Sequence, residues 1–117
     1  MLVACDIDGT LDSEPRVMQS LLMALRAAGH KVVIVTGCST TQVTQADIDD
    51  KTGYLQSLGC ANCYDQLVVV ADPADENKAA WLKSNKADLL IDNAIANAKA
   101  AKDICPVLVL WQSRIKD

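Results

Sequence analysis

The chain predicts an α/β fold: a three-layer sandwich with a five-stranded, mostly parallel sheet and helices on both faces. Three observations predict it. Short apolar runs alternate with helical segments along the chain, the order produced by crossover connections in a parallel sheet. The runs are continuous rather than alternating, as in strands covered on both faces. Half of the 117 residues are hydrophobic, enough for one core without disulfides or a structural metal.

Five runs read as strands: Leu2–Cys5, Lys31–Val35, Leu67–Ala71, Asp88–Ile91 and Val107–Trp111. The first helix carries Met18, Leu21, Leu22, Leu25 and Ala28 on one stripe, with Ser13 as N-cap, Pro15 in its first turn and Gly29 as its stop. A weaker helix runs from Asp47 to Leu58, with Ile48, Thr52 and Leu55 on one face. Asp75 caps a third that ends near Ser84, and an Ala-rich fourth spans Ala94 to about Ala101, before Cys105-Pro106. Between the second strand and the second helix, "CSTTQVTQ" is polar and structure-poor, either a solvated loop or an overhang above a site.

With no Phe in the chain, the core is Val, Leu, Ile and Ala. A net charge of −4 and a pI near 4.8 disfavour a sequence-independent nucleic-acid binder, which would be basic. No run reaches the length of a membrane span, and no basic region precedes the first apolar run, so a cytoplasmic protein without membrane partners is expected. Five cysteines in that setting are expected to be reduced. Cys60-Ala61-Asn62-Cys63 is a lone C-x-x-C without the second pair of a zinc ribbon, and reads as a loop before a strand.

In an open parallel sheet, ligands bind beyond the carboxyl ends of the strands. Asp6 and Asp8 follow the first strand, Thr36-Gly37 the second, Asp72 and Lys78 the third, Asp92-Asn93 the fourth. Four successive strands thus end in residue types suited to phosphate or metal chemistry. Residues i and i+2 of an extended strand share a face, which would aim Asp6 and Asp8 at one point, and Gly9 lets the chain turn away. A lysine in the first turn of a helix opposes the dipole by about 0.3–1 kcal/mol, a cost that a nearby carboxylate or phosphate would offset. Lys83 and Lys86 come later and read as solvated.

"DIDGT" after a first strand, "VVIVTG" with Thr36, a lysine opening a later helix and "LLIDNA" with Asp92 together resemble, in order, the four motifs of the haloacid dehalogenase-like hydrolase superfamily. The resemblance spans nearly the whole chain and implies a single capless, Rossmann-like domain over residues 1–117. It implies a Mg²⁺-dependent phosphatase acting on a phosphomonoester. Asp6 would be the nucleophile and pass through an aspartyl-phosphate, with Asp8 as general acid and base. Thr36, Gly37 and Lys78 would bind the phosphoryl group; Asp6 and Asp92 would hold the metal by their carboxylates and Asp8 by its backbone carbonyl, with Asn93 or Asn97 completing the site. The divalent ion would remove the repulsion between carboxylate and phosphate. Asp8 would keep its proton near neutral pH, its pKa raised by the negative cluster. Without a cap the site would be open, suiting a bulky phosphorylated partner. Nucleic-acid ends are open as substrates but disfavoured by the acidic charge, and a homo-oligomer would be a second way to cover the site.

Two competing readings stand beside it. One is a catalytically weak relative serving as a protein-binding module, motivated by Asn93 in place of a second acid. The other is a response-regulator receiver domain, with Asp72 as phosphate acceptor and Lys116 beyond the fifth strand.

Overall fold

The computed structural model describes residues 1–110. Five strands, β1 (Leu2–Cys5), β2 (Lys31–Gly37), β3 (Gln66–Val70), β4 (Leu89–Asp92) and β5 (Val107–Val109), form one sheet in the order β3-β2-β1-β4-β5. Every pairing is parallel. Four helices connect them: α1 (Pro15–Ala27), α2 (Gln45–Ser57), α3 (Ala74–Ser84) and α4 (Ile95–Ala101). The three-layer, Rossmann-type α/β fold expected from the sequence is present. The strand order excludes the receiver reading, whose sheet runs 2-1-3-4-5. Trp111 and Lys116 lie outside the described residues.

The sheet's two faces sort by parity. Val3, Cys5, Val32, Ile34 and Ile91 pack with Met18 and Leu22 of α1 and Leu55 of α2. Ala4, Val33, Val35 and Leu90 pack with Leu82 of α3 and Ala101 of α4. Only the three central strands are buried throughout most of their length; β3 and β5 lie at the edges and are half-exposed, with Leu108 56% accessible. The rule of strands covered on both faces therefore holds for β1, β2 and β4.

Helix starts differ from the sequence reading for identifiable reasons. Ser13 does not cap α1, because its hydroxyl donates to the Thr10 carbonyl at 2.8 Å, and Glu14 takes the cap position. α2 begins at Gln45 because Thr44 and Asp47 form a reciprocal capping box: the Thr44 hydroxyl accepts from the Asp47 N–H and the Asp47 carboxylate from the Thr44 N–H. Asp75 lies inside the first turn of α3, after Pro73, where its charge complements the dipole without capping it. Cys60 and Cys63 are both buried, with their sulfurs side by side. No helix among the described residues is long and apolar enough to cross a membrane.

Two glycines set the approach of the chain to the site. Gly9 has φ +77°, and a Cβ there would come within 2.8 Å of Asn93 Cγ. At Gly37 a Cβ would meet Ala74 Cβ at 2.7 Å, so this glycine lets α3 close on the end of β2. Gly9→Ala should destabilise the protein by about 1–2 kcal/mol, the cost of a left-handed backbone at an L-residue, with the Thr10–Asn93 hydrogen bond displaced as well. Urea unfolding measures it; a change within a few tenths of a kcal/mol would show that the turn adopts another conformation.

Candidate functional site

The strand order reverses between β1 and β4, and a crevice beyond the carboxyl ends is expected at that switch point. Asp6 follows β1 and Asp92 ends β4, on adjacent strands. Both continue the parity of Ala4 and Leu90, which face α3 and α4. Lys78 comes from α3 on that side. Its Nζ donates to Asp6 Oδ1 at 2.7 Å and to Asp92 Oδ2 at 3.3 Å. The three residues are 5%, 3% and 0% accessible. Residues 72 and 14 positions from Lys78 thus flank one ammonium group.

Lys78 sits in the second turn of α3, not the first as read from the sequence. A buried cation so placed is held by its two carboxylates. The group has one negative charge in excess, so it is incompletely neutralised. Burial pushes the Asp6 carboxyl up to about 6; Lys78 opposes this and Asp92 adds to it. Burial likewise pushes the Cys5 thiol up, with Asp6 and Asp92 adding and Lys78 opposing, so Cys5 is packing material and not a nucleophile.

A polar ring surrounds the group. Thr10, fully buried, donates its hydroxyl toward Asp6 Oδ2 (3.3 Å) and Asn93 Oδ1 (3.1 Å). Asp92 accepts from the Ala94 N–H at 3.0 Å and from Asn97 Nδ2 at 2.9 Å. Asn97 is therefore a donor to Asp92, whereas Asn93 faces Thr10 and Gly9.

Asp8 does not join Asp6. The chain after β1 forms an irregular helical turn, Ile7–Leu11, with Asp8 at φ −69°, ψ 117° and Gly9 left-handed. The i, i+2 rule of an extended strand fails there. The Asp8 side chain is 66% exposed and pairs with Lys51 Nζ of α2 at 3.6 Å. Beside it, the Tyr54 hydroxyl donates to Asp12 Oδ2 at 2.7 Å, which pushes the phenol up to about 12. Thr36 is fully buried on the α1–α2 face of the sheet, and its hydroxyl has no hydrogen-bond partner. Gly37 lies half-buried at the end of β2.

Thr10, Asp12, Lys51 and Tyr54 were not singled out from the sequence. Thr10 could have been, as the last residue of "DIDGT". The α2 pair has only a weak signal, the polar stripe Asp47, Lys51 and Tyr54 at helical spacing.

The two carboxylates, both turned to Lys78, are of the donor type that Mg²⁺ uses, an ion that takes one or two carboxylates and keeps several waters. They do not fit an ion needing a full protein cage: among the described residues no three acidic, His or Cys side chains converge.

This arrangement defines a Rossmann-type α/β domain with a charged, buried group at its switch point. No protein-family model matches the chain, and no curated protein matches it. Solved structures do. A universal stress protein in complex with cAMP superimposes with a TM-score of 0.63 at 21% identity, covering 94% of this chain and 95% of that one. A protein of the universal stress protein family from Burkholderia pseudomallei gives 0.55 at 17% identity, covering 93% and 94%. At these identities the likeness is one of fold.

These neighbours belong to a different Rossmann-like superfamily from the haloacid dehalogenase-like hydrolases, and they overturn that assignment. With it fall the hydrolase and phosphatase readings, the aspartyl-phosphate on Asp6, the acid–base role of Asp8 and the weak-relative alternative. The physical reason is that any open parallel sheet gathers polar residues along its carboxyl edge, so ordered motifs there do not single out one chemistry. The outward turn of Asp8 agrees with the correction.

Proposed function

We propose that this chain is a nucleotide-binding domain that holds its ligand by phosphate, through Mg²⁺, at the β1/β4 switch point. The observation that carries this reading is the buried Asp6–Lys78–Asp92 group, with its one excess negative charge. A phosphate cannot approach it without a cation between them, and the two carboxylates are the donors Mg²⁺ prefers. When bound, the ion supplies charge neutralisation. The chain's own residues do the rest: Lys78 fixes both carboxylates, Thr10 and Asn97 orient them, and Gly9 and Gly37 let the backbone come close. The cAMP bound to the universal stress protein of the same fold supports a nucleotide as the ligand class. A cytoplasmic setting, where nucleotides and Mg²⁺ are plentiful, suits this role.

Titration calorimetry with AMP and ATP, with Mg²⁺ and with a chelator, tests it. Binding is expected with Mg²⁺ and should weaken about tenfold or more on chelation or in Asp6→Asn, a difference of about 1.4 kcal/mol. Absence of binding at millimolar nucleotide, or affinity indifferent to both changes, would overturn it.

A further inference from the structure

We infer that α2 supplies a second subsite of the same site, one that takes the nucleoside, with Tyr54 and Lys51 as its specificity-determining residues. The inference rests on the nucleotide reading above and adds where the organic part of the ligand lies.

A hollow of about 270 Å³ opens at the carboxyl edge of the sheet between α2 and the loop after β2, lined by Cys38, Ser39, Asp47, Asp50, Lys51 and Tyr54. That volume falls just below the range of drug-sized pockets and suits one small polar ring system. Two larger hollows, of about 660 and 560 Å³, lie at the amino edge, away from Asp6, around Lys31 and Asp88 respectively. In the first of them Arg26 is already committed to Asp65 and to the Asn62 carbonyl.

Two contacts tie the hollow to the chain just after Asp6. Lys51 reaches Asp8 and Tyr54 reaches Asp12, on the turn that follows Asp6. On α2, residues 47, 50, 51 and 54 share a stripe, since positions three and four apart are neighbours on a helix. The helix buries Leu55 in the core; along the stripe Asp47 caps the helix, Lys51 and Tyr54 hold the turn after β1, and the rest of each side chain faces the hollow.

Each lining residue has a chemistry matched to a nucleoside. Tyr54 is 39% accessible, and its hydroxyl is pinned, so the ring is a pre-set platform for stacking. Asp50 is exposed, and its carboxylate can accept from sugar hydroxyls. Lys51 keeps donors beyond its long pair with Asp8 and can turn to the ligand's phosphate. The carboxylates of Asp47 and Asp50 repel a second anion, so the hollow favours a hydroxyl- and amine-bearing group over further phosphates. The buried, unpartnered Thr36 hydroxyl lies on the same face of the sheet as α2, two residues before Cys38.

The test compares inorganic phosphate with AMP, each with Mg²⁺, by calorimetry and by amide chemical shifts. Wild type should bind AMP about tenfold or more tighter than phosphate. AMP, and not phosphate, should shift the amides of residues 50–54. Tyr54→Leu should cut AMP affinity about tenfold and leave phosphate binding unchanged. Lys51→Met should also weaken AMP, whereas Tyr54→Phe, which keeps the ring, should stay within about threefold of wild type. Circular dichroism checks that each variant folds; if Tyr54→Leu does not, the shift map decides. Phosphate binding that depends on Asp6, with AMP no tighter and α2 unshifted, would overturn the subsite and leave the phosphate site standing. If neither ligand binds, both fall.

Discussion

Replacing Lys78 with methionine should destabilise the protein by about 3–5 kcal/mol at neutral pH, the usual cost of removing one partner from a buried ion pair. For a chain of this size that lowers the melting temperature by about 12–20 °C. Methionine keeps an apolar stem of similar length, so the loss reports the charge and not a cavity. The variant leaves the Asp6 and Asp92 carboxylates facing each other with no ammonium between them. Two signatures separate this from ordinary loss of packing. Adding Asp6→Asn to Lys78→Met should recover a large part of the lost stability, because one of the two uncompensated charges goes. The loss should also shrink toward pH 5, where Asp6 can take a proton. Urea unfolding of the two single variants and the double variant measures the coupling. A cost under about 1 kcal/mol, or no recovery in the double variant, would show that Lys78 does not bridge the pair.

Lowering the pH from 7 toward 4 should, through Asp6, stabilise the protein. The sign follows from the direction of its shift. Burial, opposed by Lys78 and reinforced by Asp92, lifts the carboxyl from 3.8 to about 6 in the folded chain. Between those values the folded state holds more protons than the unfolded state. Stability contributed by this group therefore falls as pH rises through the window, and the penalty is complete above about pH 6. A shift of about two units corresponds to about 3 kcal/mol. The measurement is denaturant unfolding between pH 4 and 7 in a chelating buffer, for wild type and Asp6→Asn. The difference between the two curves should grow with pH across the window. Parallel curves would remove Asp6 as the source. Mg²⁺ should flatten the wild-type dependence, because a dication beside Asp6 favours its charged form.

Both experiments address one group of charges, Asp6, Lys78 and Asp92, at the carboxyl edge of the sheet. Asp6, Lys78 and Asp92 were all legible as strand-end or helix residues, and they do converge. The motif reading went wrong at Asp8. Three residues after the strand, Asp8 no longer keeps the strand's period, because the chain has already entered the turn at Ile7. Helix boundaries slipped for similar local reasons, as where the Ser13 hydroxyl bonds Thr10 instead of capping α1.

What the amino-acid sequence determined by itself is the alternation of buried strands with helices and the polar character of the strand ends. Both are written in residues close together, in the periodicity of apolar side chains and in where each run stops. Tertiary structure alone decided that the ammonium of Lys78 lies between two carboxylates, that Asp8 turns out to Lys51, and that Tyr54 meets Asp12 from 42 residues away. Such contacts depend on how layers pack and on the direction each side chain takes at the end of its element. No local pattern encodes either.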